Sequence, residues 1–557
     1  MKKLLTALLL AAALLMLPAV SLAAAAPQMW VSPDGQKGVD AIAWYKQNNS
    51  HYYLFLPANW QGENARFGLT GIKKFVFNET GVDIQSGSDA SFLQPGDYSV
   101  TVDGNKRTLH VMQGSPGFPA LYITTASGSL NYIQKNKNNK EEGALIFVGP
   151  DGKTQYNGTL EHIKCRGNSS MTFVKKSYQI KLATGTNLMG MGKCKKWILT
   201  GNYRDKSLLR NQIVYDTAME LHMPYTPEHI SAEVYINNEY QGVYLFSEKV
   251  MIDDDRIDIA DLEEATEQLN KKPLSSYPMI GKDTSAKGKY KAYNIPNEPE
   301  DITGGYLVEF ESYPVRYKQE ASAYTTQKGD VLVVKSPEYA SKNQMEYVAA
   351  KLQAFENAIF ASDGVDPATW QHYSDIVDQD SLVRKYLIEE FTKNYDGNSS
   401  SMYFYKPADS VSTKFFAGPV WDYDSTFGSY AQESNAKNVL NGAGFWIANR
   451  AEAKLWWPAL YKQADFKQQV VDVWQAELKP AVEILLGMRE APAGSRLKSL
   501  DAYADSIRAS YAMNIIRWPR PAKPTSVANT GNTLERNIEY IRTFMTDRYA
   551  FLSEEWK

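Results

Sequence analysis

The chain has 557 residues, with 60 Lys+Arg against 63 Asp+Glu and a formal net charge of −3. No overall field draws it to nucleic acid, so any phosphate recognition has to be local. Hydrophobic residues make up 43% of it, which excludes a disordered chain and supports large cores in two or three domains.

The first residues, MKKLLTALLLAAALLMLPAVSLAAAAP, place two lysines before an apolar run and a small-residue end. That is the layout of a secretory signal peptide, assigned here to residues 1–26, with a mature start near Ala24 to Pro27. A retained membrane anchor is the alternative for the same stretch. No later segment is long and apolar enough to span a bilayer, so an exported protein without a membrane span is expected.

From 27 to 117 short strands alternate with turns, as in HYYLFLPANW, KKFVFNETGVDI and a hairpin around Asp103-Gly104, which predicts a small β-sandwich domain. GSPGFP, residues 114 to 119, reads as a linker, and a second domain is expected over 118–557. Its strands include ALYITT, GALIFVGPDGKTQYNGTL with a turn at Pro150-Asp151-Gly152, SYQIKL and KKWILTG. Cys165 and Cys194 flank SYQIKL; one disulfide and two buried thiols are both open. Six histidines and these two cysteines show no ligand spacing, so zinc is not expected.

Asp205 or Ser207 is placed to cap a helix through LLRNQIVYDTAMELH, with Asn202, Asp205 and Arg210 fixing the join between strand and helix. A hairpin follows across Asn237-Asn238. Residues 260 to 303 are polar and rich in Lys, Pro and Asn and read as a mobile insertion. Ser341 and Gln344 form a capping box for a helix to about Phe360, and Asp380 starts another running to Asn394. Strands first and helices later predict an α+β fold with two lobes.

The stretch GPVWDYDSTFG, residues 418 to 428, carries the strongest chemical signal. On an extended backbone Asp422 and Asp424 share one side, with Trp421 and Tyr423 anchoring the other. Two carboxylates that close raise each other's pKa unless a cation sits between them, and magnesium takes one or two carboxylates with substrate phosphates. A solvated turn is the plain alternative. Standard nucleotide fingerprints and the usual hydrolase motifs are absent.

Six segments stand in register: KCRGNSSMTFVKKSYQIKL, KKWILTGNYRDKSLLRN, NNEYQGVYLFSEKV, GGYLVEFES, NYDGNSSSMYFYK and GPVWDYDSTFG. In this order and spacing, over about residues 120 to 430, they resemble the spore-coat CotH kinase family. The resemblance implies an atypical protein-kinase-like fold, ATP with Mg2+ or Mn2+, and phosphoryl transfer to proteins outside the cytoplasm. It implies Asp396 as the catalytic-loop acid and Asp422 or Asp424 as metal ligand. The family's asparagine before the aromatic run is replaced by Ser400 and Ser401, with Asn398 as its substitute. Lys181, with Lys176 as rival, is expected to reach nucleotide phosphates as a point charge. Glu248 is a candidate partner for that lysine or for the metal, and Arg166 with Asn168 a candidate phosphate support. Two other classes fit the same residues: an inactive kinase-like scaffold, and a carbohydrate-active enzyme built on paired acids.

Overall fold

The computed structural model describes residues 26–281, 286–397, 399–430, 436–448, 456–519 and 533–557. The expected leader, except for residue 26, and Asn398 lie outside the described residues. The chain divides into two compact units, one built from residues up to Leu56 with Gln61–Met112, the other from Pro57–Trp60 with Gln113–Lys557.

The first unit holds β1 (Gln28–Ser32), β2 (Ile42–Ala43), β3 (Tyr45–Lys46), β4 (His51–Leu56), β5 (Arg66–Thr70), β6 (Phe75–Phe77), β7 (Val82–Ile84), β8 (Gly96–Val102) and β9 (Asn105–Gln113). They form a three-stranded sheet, β2-β1-β5, and a six-stranded sheet, β3-β4-β9-β8-β6-β7. β8 and β9 meet at Asp103 and Gly104, whose φ values of 49° and 81° suit a tight hairpin turn.

In the second unit β10 (Ala120–Thr125), β11 (Glu141–Val148), β12 (Thr154–Arg166), β13 (Ser177–Asn187), β14 (Lys193–Thr200), β15 (His229–Ile236) and β16 (Glu239–Glu248) close into a barrel in the order β10-β11-β12-β13-β14-β16-β15. Closure comes from the parallel pairing of β10 with β15, which leaves no open edge. Alternate residues point inward, so Leu145, Phe147, Ile163, Ile180 and Trp197 fill the interior, with Trp197 stacked on Phe246 at 4.9 Å. Cys165 and Cys194 belong to this core as free, buried thiols.

A second sheet follows: β17 (Met279–Ile280), β18 (Lys289–Tyr293), β19 (Tyr306–Glu311), β20 (Ser322–Thr325), β21 (Val331–Ser336), β22 (Ser400–Lys406) and β23 (Phe416–Ala417), in the order β17-β18-β20-β21-β19-β22-β23. One large core joins it to the helices Arg210–Glu220, Lys342–Phe360, Gln379–Thr392, Leu500–Arg517 and Leu534–Glu555. The fold is therefore mixed α+β. Ser341 and Gln344 make the reciprocal cap at the start of Lys342–Phe360. For Gln379–Thr392 the cap is Asp378, whose side chain accepts from the Ser381 N–H, two positions before the expected start.

The stretch 260–303, expected as an insertion without order, contains the Leu262–Gln268 helix and strands β17 and β18. Its few apolar residues are the reason: Leu262, Leu274, Ala292 and Tyr293 are all buried, so a polar average hides a regular set of anchors.

Candidate active site

Two loops carry the acids. After the helix Gln379–Thr392, Lys393 turns the chain with a left-handed φ of 45°. Asn394 then accepts from the Asp396 N–H at 3.1 Å, and the Asp396 carbonyl accepts from Ser399 and Ser400 at 2.7 and 3.1 Å, which fixes Asp396 at the start of β22.

The second loop hangs on the helix Arg210–Glu220. Asn211 accepts from the Tyr423 N–H at 2.6 Å, the Tyr215 hydroxyl accepts from the Asp422 N–H at 3.3 Å, and Arg210 donates to the Thr426 carbonyl at 2.9 Å. Arg210 is itself held by Asp205 at 2.6 Å, both fully buried, so the join between strand and helix also anchors this loop. Tyr395 N–H donates to the Ser425 carbonyl at 3.2 Å and ties the two loops together.

Asp422 has a φ of 64°, so the segment is not an extended strand. Side chains therefore do not alternate here: Trp421 lines the same cavity as Asp422 and Asp424, under the Arg166 guanidinium at 5.0 Å. Tyr423 alone turns away into the core.

Asp396, Asp422 and Asp424 line one cavity of about 780 Å³, whose walls come from the barrel strands β12–β14 and from β19, β21 and β22. Lys164, Arg166, Lys196, Lys249, Arg204, Arg316 and Lys335 line it as well, together with further acids such as Glu309, Glu311 and Glu320. Asp422 is open to the cavity's own solvent, yet protein bulk around it raises its pKa first and Asp396 second, against the pull of Arg166, Arg204 and Arg316. Burial and Asp422 push Asp424 up to about 6, and burial with Asp424 raises Asp396. Lys249 is shifted the other way: loss of hydration, then Lys196, Lys335, Arg166 and Lys164, lower it to about 8. Burial is the first cause of each shift and neighbouring like charges add to it, so acids and cations share one poorly hydrated space.

Arg204 is held between the rings of Tyr430 and Phe173, at 4.1 and 5.4 Å, and donates to Ser425 at 3.2 Å. Glu309 and Glu320 flank Lys335, at 3.8 and 2.9 Å.

Of the residues expected from sequence, Asp396, Asp422, Asp424, Arg166 and Asn168 line the cavity. Lys181, Lys176 and Glu248 do not. Lys181 lies on the same side of β13 as Ser177 and Gln179 but further along, where it pairs with Glu161. Lys176 turns to the Met171 carbonyl at 2.7 Å. Glu248 is buried against Arg256 at 2.6 Å, while its neighbour Lys249 faces the cavity. Adjacent residues at a strand end point to opposite sides, which puts Lys249 rather than Glu248 in the cavity lining. Lys164 could have been found from its spacing, since it stands two residues before Arg166 on one strand and so shares its face.

Among the described residues no group of three or more His, Cys, Asp or Glu side chains is arranged to hold a metal ion. That does not exclude magnesium, which is commonly bound by one or two carboxylates with phosphate and water oxygens. Asp422 and Asp424, raised by burial and then by a neighbouring acid in a cavity that also holds cations, fit such an ion and a polyphosphate together and would be its ligands.

No curated protein matches the chain. The family model described as CotH kinase protein matches residues 163–552, which takes in both acidic loops, most of the barrel wall and the helices behind them. The chain belongs to the CotH kinase protein family.

Proposed function

We propose that this chain is an exported, metal-dependent protein kinase that moves the γ-phosphoryl of ATP to a Ser or Thr hydroxyl of a secreted or cell-surface protein. The observation that carries the reading is one cavity lined both by the acids Asp396, Asp422 and Asp424 and by the cations Lys164, Arg166, Lys196 and Lys249. The cavity between barrel and second sheet is then the cleft of a two-lobed, kinase-like domain, and the first unit a β-sandwich appended to it.

A divalent ion bound there neutralises phosphate charge. The chain's own residues do the rest. The barrel cations orient the β- and γ-phosphates, and Asp422 and Asp424 set the position of the ion. Asp396 takes the proton of the acceptor hydroxyl as its oxygen bonds to the γ-phosphorus and the bond to the bridging oxygen breaks, releasing ADP. Its raised pKa makes it a better proton acceptor than an ordinary aspartate. The apolar leader at the N-terminus supports export.

The test is incubation of the purified chain with labelled ATP, magnesium or manganese, and candidate surface proteins. Label appears in the acceptor and is lost in Asp422→Ala and Asp424→Ala; transfer that survives both substitutions rejects the proposal.

One observation favours a second reading, an inactive module of the same fold. Ser400, which stands near the family's asparagine position, is engaged by Arg316 at 3.0 Å. An inactive module shows no metal-dependent nucleotide affinity in calorimetry.

A further inference from the structure

Arg204 stands in the loop between β14 and the helix Arg210–Glu220 and lines the cavity of the three acids. Its backbone is pinned on either side. Asn202 donates to the Leu208 carbonyl at 3.1 Å and accepts from the Asn211 amide at 3.0 Å, and Asp205 is held by Arg210. Asn211 also accepts from the Tyr423 N–H, so one side chain joins the Arg204 loop to the turn that carries Asp422 and Asp424. The guanidinium lies between the rings of Tyr430 and Phe173, and Tyr430 packs edge-on against Tyr395, the residue before Asp396, at 5.1 Å.

The charge of Arg204 acts on all three acids, yet among the described residues no carboxylate pairs with it directly. It donates to the Ser425 hydroxyl, and Ser425 donates to Asp424 at 2.9 Å, so a single hydroxyl stands between the guanidinium and that acid. An unrestrained arginine beside three acids would fold onto one of them; the two rings and the hydroxyl hold this one off. A guanidinium carries five N–H donors in one plane. Ser425 accepts one, and among the described residues no other group accepts the rest. An ion on Asp422 and Asp424 takes phosphate oxygens at about 2.0–2.1 Å, which brings those oxygens beside the unused donors.

Resting on the kinase reading of this cavity, we infer that Arg204 is a further catalytic residue, which donates to the oxygens of the γ-phosphoryl as it passes from ADP to the acceptor. The acceptor oxygen bonds to phosphorus, the bond to the bridging oxygen of ADP breaks, and the hydroxyl proton goes to Asp396. Negative charge is then spread over the three equatorial oxygens. A planar fork fixed in advance meets them without reorganising, which an ammonium on a flexible stem does not. Before nucleotide arrives, the same fixed charge opposes a bare metal ion at Asp422 and Asp424, so the ion enters together with its phosphates.

The experiment compares the full wild-type chain with Arg204→Lys and Arg204→Gln in two measurements. In phosphoryl transfer from labelled ATP at saturating magnesium, both variants should lose about 100- to 1000-fold in kcat with KM for ATP nearly unchanged. In calorimetric titration of the nucleotide-free chain with magnesium chloride, Arg204→Gln should bind about tenfold tighter than wild type, whereas Arg204→Lys, which keeps the charge, should stay close to it. A kcat equal to wild type, a loss confined to KM, or a magnesium affinity that Arg204→Gln leaves as it was overturns the inference, while transfer by the wild-type chain still upholds the kinase reading. A wild-type chain that transfers no label rejects that reading and the role of Arg204 with it. Should Arg204→Lys fail to fold, Arg204→Gln decides by both measurements; should Arg204→Gln fail, the rate of Arg204→Lys decides.

Discussion

The hydroxyl of Tyr423 donates to the carboxylate of Glu389 at 2.6 Å, deep beneath the cavity floor. Tyr423 is the residue between Asp422 and Asp424. The other oxygen of Glu389 accepts from the Asn394 amide at 2.8 Å, two residues before Asp396, so one buried carboxylate is bonded to both acidic loops. Lys385 completes the cluster, 2.8 Å from Glu389 and 2.7 Å from the Tyr423 hydroxyl. A Cβ on Gly397 would stand 2.5 Å from Glu389, so the glycine is what lets the Asp396 loop lie this close.

Glu389→Ala leaves Lys385 buried without its partner and should lower stability by about 3–5 kcal/mol. Tyr423→Phe removes two hydrogen bonds, the one to Glu389 and the one from Lys385, for about 2–4 kcal/mol, and keeps the packing. It should nonetheless reduce phosphoryl transfer, since the turn that aims Asp422 and Asp424 loses its anchor. Urea unfolding and initial rates, measured on the same preparations, separate the two effects; a Tyr423→Phe chain with full activity shows the anchor to be structural only.

The carboxylates themselves should behave in the opposite sense. Asp424 is raised to about 6 by burial and by Asp422, so ionising it at neutral pH weakens the metal-free fold. Asp424→Asn is expected to raise the melting temperature without metal and to abolish the further rise that magnesium and ATP give the wild-type chain. Melting curves with and without both additives test this; an Asp424→Asn chain that melts below wild type without metal shows that the charge repulsion is not there to be relieved.

Much of this fold could be read from local chemistry. Asp103-Gly104 and Asn237-Asn238 announce hairpins because residues tolerant of positive φ are what tight hairpin turns require, and both pairs adopt it. Ser341 and Gln344 announce a helix start for a similarly local reason. The acidic loops were visible as chemistry but not as geometry: Asp422 reaches the cavity through a left-handed turn that no alternation rule predicts. The cations of the cavity were the least legible. Lys164 and Lys196 lie on β12 and β14 and Lys249 directly follows β16, strands whose neighbours are set by barrel closure and register, and β13 and β14 change register between Lys181 and Thr186. A lysine's role there depends on pairings that are long-range in sequence, so Lys181 and Lys249 look alike until the strands are paired.

Glu233 on β15 gives a stability test away from the cavity. It is fully buried, accepts from the Ser510 hydroxyl, and is raised from 4.5 to about 7, chiefly by loss of hydration. The folded chain holds this proton where the unfolded chain has released it. The stability it contributes is therefore complete below about pH 4.5, falls as pH rises, and is gone above about 7, a difference of about 3 kcal/mol. Glu233→Gln cannot lose a proton, so its stability relative to wild type should climb by about that amount from acid to mildly alkaline pH. Urea unfolding of both chains across this range measures it, and a constant difference contradicts the assignment.

Lys249 offers the sharpest test of which cations meet the phosphates. Loss of hydration, and after it the positive charges nearby, bring it to about 8. A polyphosphate beside it supplies the missing counter-charge and favours the ammonium form, so binding should take up a proton as the pH passes through about 8 and weaken above it. Lys249→Met is expected to lower nucleotide affinity about 10- to 100-fold near neutral pH, the effect of one charge-assisted hydrogen bond, and to flatten this pH dependence. Titration calorimetry in buffers of differing ionisation enthalpy counts the protons directly. Lys181→Met serves as the control, because Lys181 is engaged by Glu161 outside the cavity and its loss should leave affinity and proton uptake as they were. If Lys181→Met and not Lys249→Met weakens binding, the phosphates lie elsewhere and the assignment of Lys249 to them is wrong.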